Sequence, residues 1–282
     1  MSGQWPEGLR VISSGKRDGS ADRQDQRFTA VLPAKVGIEI TDATLQYPIG
    51  PFVRGSLKSS LLGMFGHRST IRQAEFVDAF REVNLSVSEG ERVGIIGSNG
   101  SGKSTLLRAM AGIYPLKVGS ISVVGQIGTL LDIGLGFEID ATGRENIYYR
   151  GMAMGYGRKD IAAAEAEIIE FAGLGDFIDL PMRTYSSGMY VRLGFAVSTQ
   201  FLPDILLIDE VFGAGDARFA DRAVQRMMHV VQSAGIVMLA SHDLGLIERI
   251  CTRVIWINSG SIVRDGPPSV VLPQFQQYMI DG

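Results

Sequence analysis

Residues 97–104 read Gly-Ser-Asn-Gly-Ser-Gly-Lys-Ser, and this octet constrains the chain more than any other feature. It fits the pattern G-x-x-x-x-G-K-[ST]. It follows the apolar run Arg92–Ile96, which reads as a strand, and opens a helical stretch from about Lys103 to Met110. A strand, a glycine-rich turn and a helix together turn successive backbone N–H groups toward one anion and aim the positive helix end at it. Gly97, Ser98, Asn99, Gly100, Ser101 and Gly102 form the loop, and Thr105 follows it into the helix. Lys103 can reach β- and γ-phosphate oxygens, and the Ser104 hydroxyl can ligate Mg²⁺. Such a match arises by accident in about one chain in a hundred of this length. The flanking strand and helix favour a nucleotide phosphate site over a chance turn.

Composition narrows the rest. The 282 residues carry 27 basic and 30 acidic side chains, a net charge of −3, so there is no global electrostatic reason to bind nucleic acid. The single cysteine excludes an intrachain disulfide framework and fits a reducing compartment. With only His67, His229 and His242 beside it, it cannot supply a structural zinc site. No apolar run approaches the roughly 18–20 residues that span a bilayer. No apolar block of signal-peptide type follows the first charges. Any membrane role is therefore expected through a partner. The 35 glycines exceed ordinary usage and call for tight backbone somewhere.

Residues 1–35 are polar, mixed in charge and without period. They read as a flexible tail, or as an arm that orders on a partner. Val36–Ile40 reads as a strand. Residues 48–80 read as an insertion broken by Pro48, Pro51 and glycines, with Arg54, Lys58, Arg68 and Arg72 and no acid between Gly50 and Gln73. Leu57, Leu61, Leu62 and Phe65 are at helical spacing within it. Beyond the octet, residues 119–131 read as strand, Asp160–Ala172 and Ser187–Gln200 as helices, Ile205–Ile208 as a short apolar strand, 217–232 as helix and Ile236–Ala240 as strand. Val254–Ile257 and Ser261–Arg264, joined by Asn258-Ser259-Gly260, read as a hairpin. Buried strands interleaved with helices predict an α/β fold with a mostly parallel sheet.

Asp209 and Glu210 end the strand Leu206-Leu207-Ile208, where α/β proteins place ligand sites. Asp209 is suited to hold Mg²⁺ through water. Glu210 can polarise the water that attacks a γ-phosphate. Upstream, Tyr185-Ser-Ser-Gly-Met189 opens a helix, and a Ser/Gly turn at a helix N-terminus is a second anion site or simply a cap. In this order the motifs resemble the ATP-binding-cassette family over roughly residues 36–268. The signature turn is a variant: Ser186 and Gly188 match the common Leu-Ser-Gly-Gly-Gln form, while Tyr185, Ser187 and Met189 depart from it. The resemblance implies a P-loop NTPase core with an antiparallel β portion and a helical subdomain at about 133–200. It makes His242 the switch histidine beside the γ-phosphate, Asp216 part of the loop crossing a dimer interface, and Tyr47 the aromatic stacked on adenine. The family's glutamine is not evident; Asp132 is the nearest polar residue and the candidate metal contact there.

Leu130-Leu-Asp-Ile-Gly-Leu-Gly-Phe137, Thr142-Gly-Arg-Glu-Asn146 and Asp209-Glu-Val-Phe-Gly-Ala-Gly-Asp216 resemble one subgroup, the ATPase subunits that export polysaccharides: O antigen, capsule, teichoic acid and galactan. The resemblance implies ATP and Mg²⁺ as cofactors and a head-to-tail homodimer. It implies an integral-membrane permease as partner, a lipid-linked glycan reached through it, no nucleic acid, and a peripheral place on the cytoplasmic face of the inner or plasma membrane. Residues 269–282 are then expected as a C-terminal tail, with no glycan-binding domain behind the cassette. The cations of the insertion would face anionic lipid or a glycan pyrophosphate, or else the insertion is a solvated amphipathic helix packed on the cassette. A small-solute importer ATPase and a DNA-associated cassette are the alternatives. The variant signature and the absent glutamine count against the first. The lack of a long coiled coil or zinc module counts against the second.

Overall fold

The structure, a computed structural model, describes residues 9–13, 35–49, 75–131, 136–209 and 217–281. Asp132, Glu210, Asp216 and the cationic segment 50–74 lie outside the described residues.

Two sheets organise the chain. The first is antiparallel and contains β1 (Leu9–Ser13), β2 (Gly37–Ile49), β3 (Glu75–Ser88) and β5 (Val118–Val124), in the order β1-β5-β2-β3. The second contains β4 (Arg92–Ile96), β6 (Ile127–Leu130), β7 (Ile205–Asp209), β8 (Ile236–Ala240), β9 (Arg253–Asn258) and β10 (Ser261–Gly266), in the order β10-β9-β4-β8-β7-β6. All its pairings are parallel except the β9–β10 hairpin.

Side-chain alternation explains why its central strands are apolar throughout. In β8, Ile236, Met238 and Ala240 face one core, shared with the antiparallel sheet and with Leu106, Leu107 and Met110 of α1 (Lys103–Met110). Val237 and Leu239 face the other core, shared with the remaining helices. A strand covered on both faces has no position for a polar residue.

The helical region holds α2 (Gly143–Ala153), α3 (Arg158–Ala172) and α4 (Ser187–Ser198). A capping box starts α2: the Thr142 hydroxyl accepts from the Glu145 N–H and the Glu145 carboxylate accepts from the Thr142 N–H. Asn146, fully buried, accepts from Glu138 N at 2.8 Å and donates to the carbonyls of Glu138 and Thr142, both at 2.9 Å. Arg144 bonds Asp179 at 2.7 Å and also pairs with Glu165. The remaining helices are α5 (Ala217–Ser233), α6 (Leu244–Ile250) and α7 (Pro268–Asp281).

Four boundaries differ from the sequence expectation. Residues 119–131 are two strands in two different sheets, divided at Gly125-Gln126. Both ends of the expected 48–80 insertion are strand, because β2 and β3 continue pairing out to Ile49↔Glu75. Within the expected N-terminal tail, Leu9–Ser13 pairs with β5 from Leu9↔Val124 to Ser13↔Ser120; an unpaired sheet edge is a template for any extended segment nearby. The expected C-terminal tail is instead α7. Val271, Leu272 and Phe275 are buried, and Phe275 and Tyr278 close on Trp256 at centroid distances of 5.4 and 5.0 Å. That burial outweighs the helix penalty of the internal Pro273.

Among the described residues, no helix is long and apolar enough to cross a membrane.

Candidate nucleotide-binding site

The octet occupies the turn between β4 and α1, and neighbouring backbone presses on it from two sides. A Cβ on Gly97 would stand 2.2 Å from the Ile257 carbonyl oxygen of β9 and 2.6 Å from Ser101 Oγ. Gly102, the N-cap of α1, has a φ of 107°, and a Cβ there would stand 2.5 Å from the Ala79 carbonyl oxygen of β3. Only glycine tolerates both the backbone angle and the close approach. The β9–β10 turn supports the loop from outside. Ser259 and Gly260 take φ values of 47° and 78°, as a tight hairpin turn requires, and the Gly260 N–H donates to the Ser101 carbonyl at 3.0 Å.

Lys103 is 94% buried by this construction, at 6% exposure. Its Nζ donates to the carbonyls of Gly97 at 2.9 Å and Ser98 at 3.0 Å. The ammonium is thus held over the mouth of the loop. A phosphate entering the loop meets a fixed cation, a helix N-terminus and a run of backbone donors together.

A cavity of about 500 Å³ opens in front of the loop, lined by Tyr47, Asp78, Asn99, Gly100, Gly102, Lys103, Ser104, Thr105, Asp209 and His242 among others. Its size lies in the range of small-molecule sites. Asp209 ends β7 beside β8 and is only partly exposed. Its Oδ1 is buried with no hydrogen-bond partner among the described residues. Its Oδ2 is 4.0 Å from a guanidinium nitrogen of Arg108. A buried carboxylate oxygen without a donor is costly unless something occupies it. With the Ser104 hydroxyl lining the same cavity, these residues fit Mg²⁺, a hard cation that takes one or two protein oxygens and completes its shell with water and phosphate.

His242 is exposed at the end of β8, on the cavity wall. The turn that presents it is closed by Ser241, whose Oγ accepts from Asp243 N at 3.0 Å, and by Asp243, whose Oδ1 caps α6 at Leu246 N. Tyr47, on β2, lines the same cavity. Its hydroxyl donates to Thr105 Oγ1 at 3.3 Å and its ring meets Tyr114 edge-on at 5.5 Å. Burial pushes its phenol above the usual range.

Ser186 and Gly188 do not join this group. Ser186 is the N-cap of α4, its Oγ accepting from Met189 N at 3.3 Å. Both are exposed, and neither lines the cavity. A Cβ on Gly188 would meet nothing nearer than Ser186 Oγ at 4.0 Å. No packing within the described chain therefore requires glycine there.

Sequence reasoning missed three contributors. Arg108 lies one helical turn past Ser104 and Thr105, a spacing that could have marked it. Asp78 is paired across the sheet with Gln46, whose amide donates to it at 2.6 Å. Val77 is the cross-strand partner of Tyr47. No motif marks the last two, because the β2–β3 register places them.

A phosphate loop at the end of a central parallel strand, facing an acid from the next strand but one, defines a P-loop nucleotide triphosphatase. The family model described as ABC transporter matches residues 80–213. The chain is 44% identical to the O-antigen export system ATP-binding protein RfbB of Myxococcus xanthus, over 79% of this chain and 51% of that protein. It spans about half the length of that relative. It is 41% identical to the O-antigen export system ATP-binding protein RfbE of Yersinia enterocolitica, over 79% of this chain and 95% of that one. A solved dimeric ATP-binding cassette in a post-hydrolysis state, bound to ADP and Pi, shares the fold with a TM-score of 0.60 at 19% identity, covering 82% of this chain and 98% of that one. The chain belongs to the ABC transporter family, as one of its ATP-hydrolysing cassettes.

Proposed function

We propose that the chain is the ATPase subunit of an exporter. It hydrolyses Mg·ATP at the interface of a head-to-tail homodimer to drive a lipid-linked polysaccharide through a separate membrane permease. One observation carries the dimer: the chain holds one phosphate loop and one signature turn, and the turn stands exposed, outside the cavity the loop helps to form. A second copy turned head-to-tail brings Ser186 and Gly188 over the phosphates. An approaching ligand supplies the reason for glycine at 188 that intramolecular packing does not.

Within each half-site, the loop and Lys103 hold the β- and γ-phosphates, and the face of the Tyr47 ring is offered to adenine. Ser104 and Asp209 would hold Mg²⁺, which when bound offsets the phosphate charge. Asp132 remains a candidate second contact. His242 fixes a γ-phosphate oxygen and Glu210 orients the attacking water. Phosphoryl transfer asks little covalent chemistry of the protein, so positioning and charge neutralisation do the catalysis. Loss of the γ-phosphate removes the ligand shared by the two copies and lets them part. Relatives named for O-antigen export support this reading over a solute importer or a DNA-associated cassette. Attachment to the permease gives the chain its peripheral place at the membrane. The polysaccharide class follows the names of those relatives.

Mixing two inactive variants tests the shared site. Lys103→Ala disables the loop and Gly188→Asp the turn. Each alone is inactive. A mixed dimer has one intact site and one doubly damaged site. Random assortment then restores about a quarter of the parental ATPase sites, half the dimers being mixed with one working site each. Absence of any restoration at protein concentrations that support dimerisation would contradict the shared site.

A further inference from the structure

A second cavity, of about 620 Å³, adjoins the nucleotide cavity at the phosphate loop. Asn99 and His242 line both. Besides Gly97 and Ser98 of the loop and Gln276 of α7, the rest of its wall is apolar: Leu244 of α6, and Phe275, Met279 and Ile280 of α7. Phe275 is the anchor, buried against Trp256, and Tyr278 meets the same ring, its hydroxyl accepting from Asn258 Nδ2 at 3.4 Å. These contacts fix the last turn of α7. That turn then presents Met279 at 55% and Ile280 at 78% exposure beside the loop. Two large exposed apolar side chains on an anchored helix next to an active site call for a covering surface.

We infer that this covering surface is the second copy of the chain, and that Met279 and Ile280 extend the nucleotide-dependent dimer interface beyond the phosphates. The inference rests on the sandwich reading. The apolar tip is continuous with the ground that the partner subunit covers. The γ-phosphate side of Asn99 and His242 is where Ser186 and Gly188 of the partner subunit must arrive, and the apolar tip of α7 borders those same two residues. A body large enough to seat the signature turn on the loop also covers the ground beside it. Removal of apolar area from water would then reward closure only when both copies are aligned, and two-fold symmetry makes each contact count twice. The C-terminal helix thereby acts as an apolar latch on the closed ATP-bound state, separate from the groups that bind the nucleotide.

The test uses the full chain with Glu210→Gln to block turnover. Sedimentation with Mg·ATP measures its dimerisation, and a fluorescent ATP analogue measures nucleotide affinity at concentrations where the chain is monomeric. Adding Met279→Ser and Ile280→Ser should weaken ATP-dependent dimerisation by about tenfold or more, with nucleotide affinity and melting temperature unchanged. Separately, Ile280→Cys carries an environment-sensitive fluorophore. Native Cys251 does not compete for the label, because burial pushes its thiol up to about 12. The label should shift to the blue on adding Mg·ATP, with a concentration dependence that follows dimerisation.

Unchanged dimerisation of the double-serine variant overturns the inference alone. A parallel fall in nucleotide affinity overturns it by assigning the tip to its own chain's nucleotide. A spectral shift in the monomer overturns it by showing that the same chain covers the tip. Failure of the Glu210→Gln parent to dimerise with ATP removes the sandwich reading, and the latch with it.

Discussion

Gly97→Ala and Gly100→Ala separate what the phosphate loop needs from what it tolerates. At Gly97 the added methyl would stand 2.2 Å from the Ile257 carbonyl oxygen. That oxygen belongs to β9, held by β4 on one side and β10 on the other, so it cannot swing away as a side chain would. Loop and strand must part by close to an ångström to reach an ordinary contact. Overpacking of this kind costs about 1–3 kcal/mol of stability, and an ångström of misplacement at a catalytic centre costs on the order of a hundredfold in rate. Gly100 is the internal control. Its φ is 76° but, its chain neighbours aside, no atom of the described residues lies within 4 Å of its would-be Cβ, so alanine there incurs only the left-handed backbone cost, about 1–2 kcal/mol. Calorimetric titration with Mg·ATP, a thermal melt and steady-state ATPase measurements read all three consequences. Gly97→Ala should bind ATP poorly and lose about a hundredfold in turnover, while Gly100→Ala should retain most of its affinity. Near-parental binding and turnover by Gly97→Ala, or equal damage from both, would refute the close-approach argument.

Other consequences are open to measurement. Glu210→Gln should bind ATP yet hydrolyse it about 10²–10³ more slowly; near-normal turnover would remove Glu210 from its role. Phe275→Ala should cost about 3–5 kcal/mol by emptying the Trp256 contact, read as a lowered melting temperature; no change would mean that α7 is not held as described. The raised Cys251 thiol has a definite sign. The folded state keeps it protonated, so its contribution to stability is complete below the ordinary value of 9.0 and is lost as pH rises toward about 12. Cys251→Ala should flatten stability over that window, and an unchanged pH profile would contradict the burial of the thiol.

The parts of the site legible in the sequence were those whose chemistry needs fixed residue types at fixed spacing. The phosphate loop, the strand before it and the β9–β10 turn are such parts, because glycine angles, a lysine reach and an Asn-Ser-Gly turn leave few alternatives. What escaped was set by partners distant in sequence. Leu9–Ser13 has no pattern of its own and is a strand because β5 offers an edge. α2 was hidden because Gly143, Asn146 and Gly151 are among its buried residues in place of large apolar ones, although Thr142 and Glu145 signalled its start. α7 was hidden by Pro273, and its evidence lies in Trp256, twelve residues before the helix begins. Ser186 and Gly188 were legible as a motif, yet the structure leaves them outside the cavity; in the dimer we propose, a second chain gives them a phosphate to face.

The central claim is that each ATP lies between the phosphate loop of one copy and the signature turn of another. The most direct measurement is selective cross-linking in the Glu210→Gln background, with Asn99→Cys in one chain and Ser187→Cys in a second, size-tagged chain. Cys251 is buried and unreactive. With Mg·ATP, a short bifunctional thiol reagent should join only the mixed pair, and omission of nucleotide should abolish the product. Joined pairs of two Asn99→Cys chains or two Ser187→Cys chains, or a mixed product indifferent to ATP, would contradict the account.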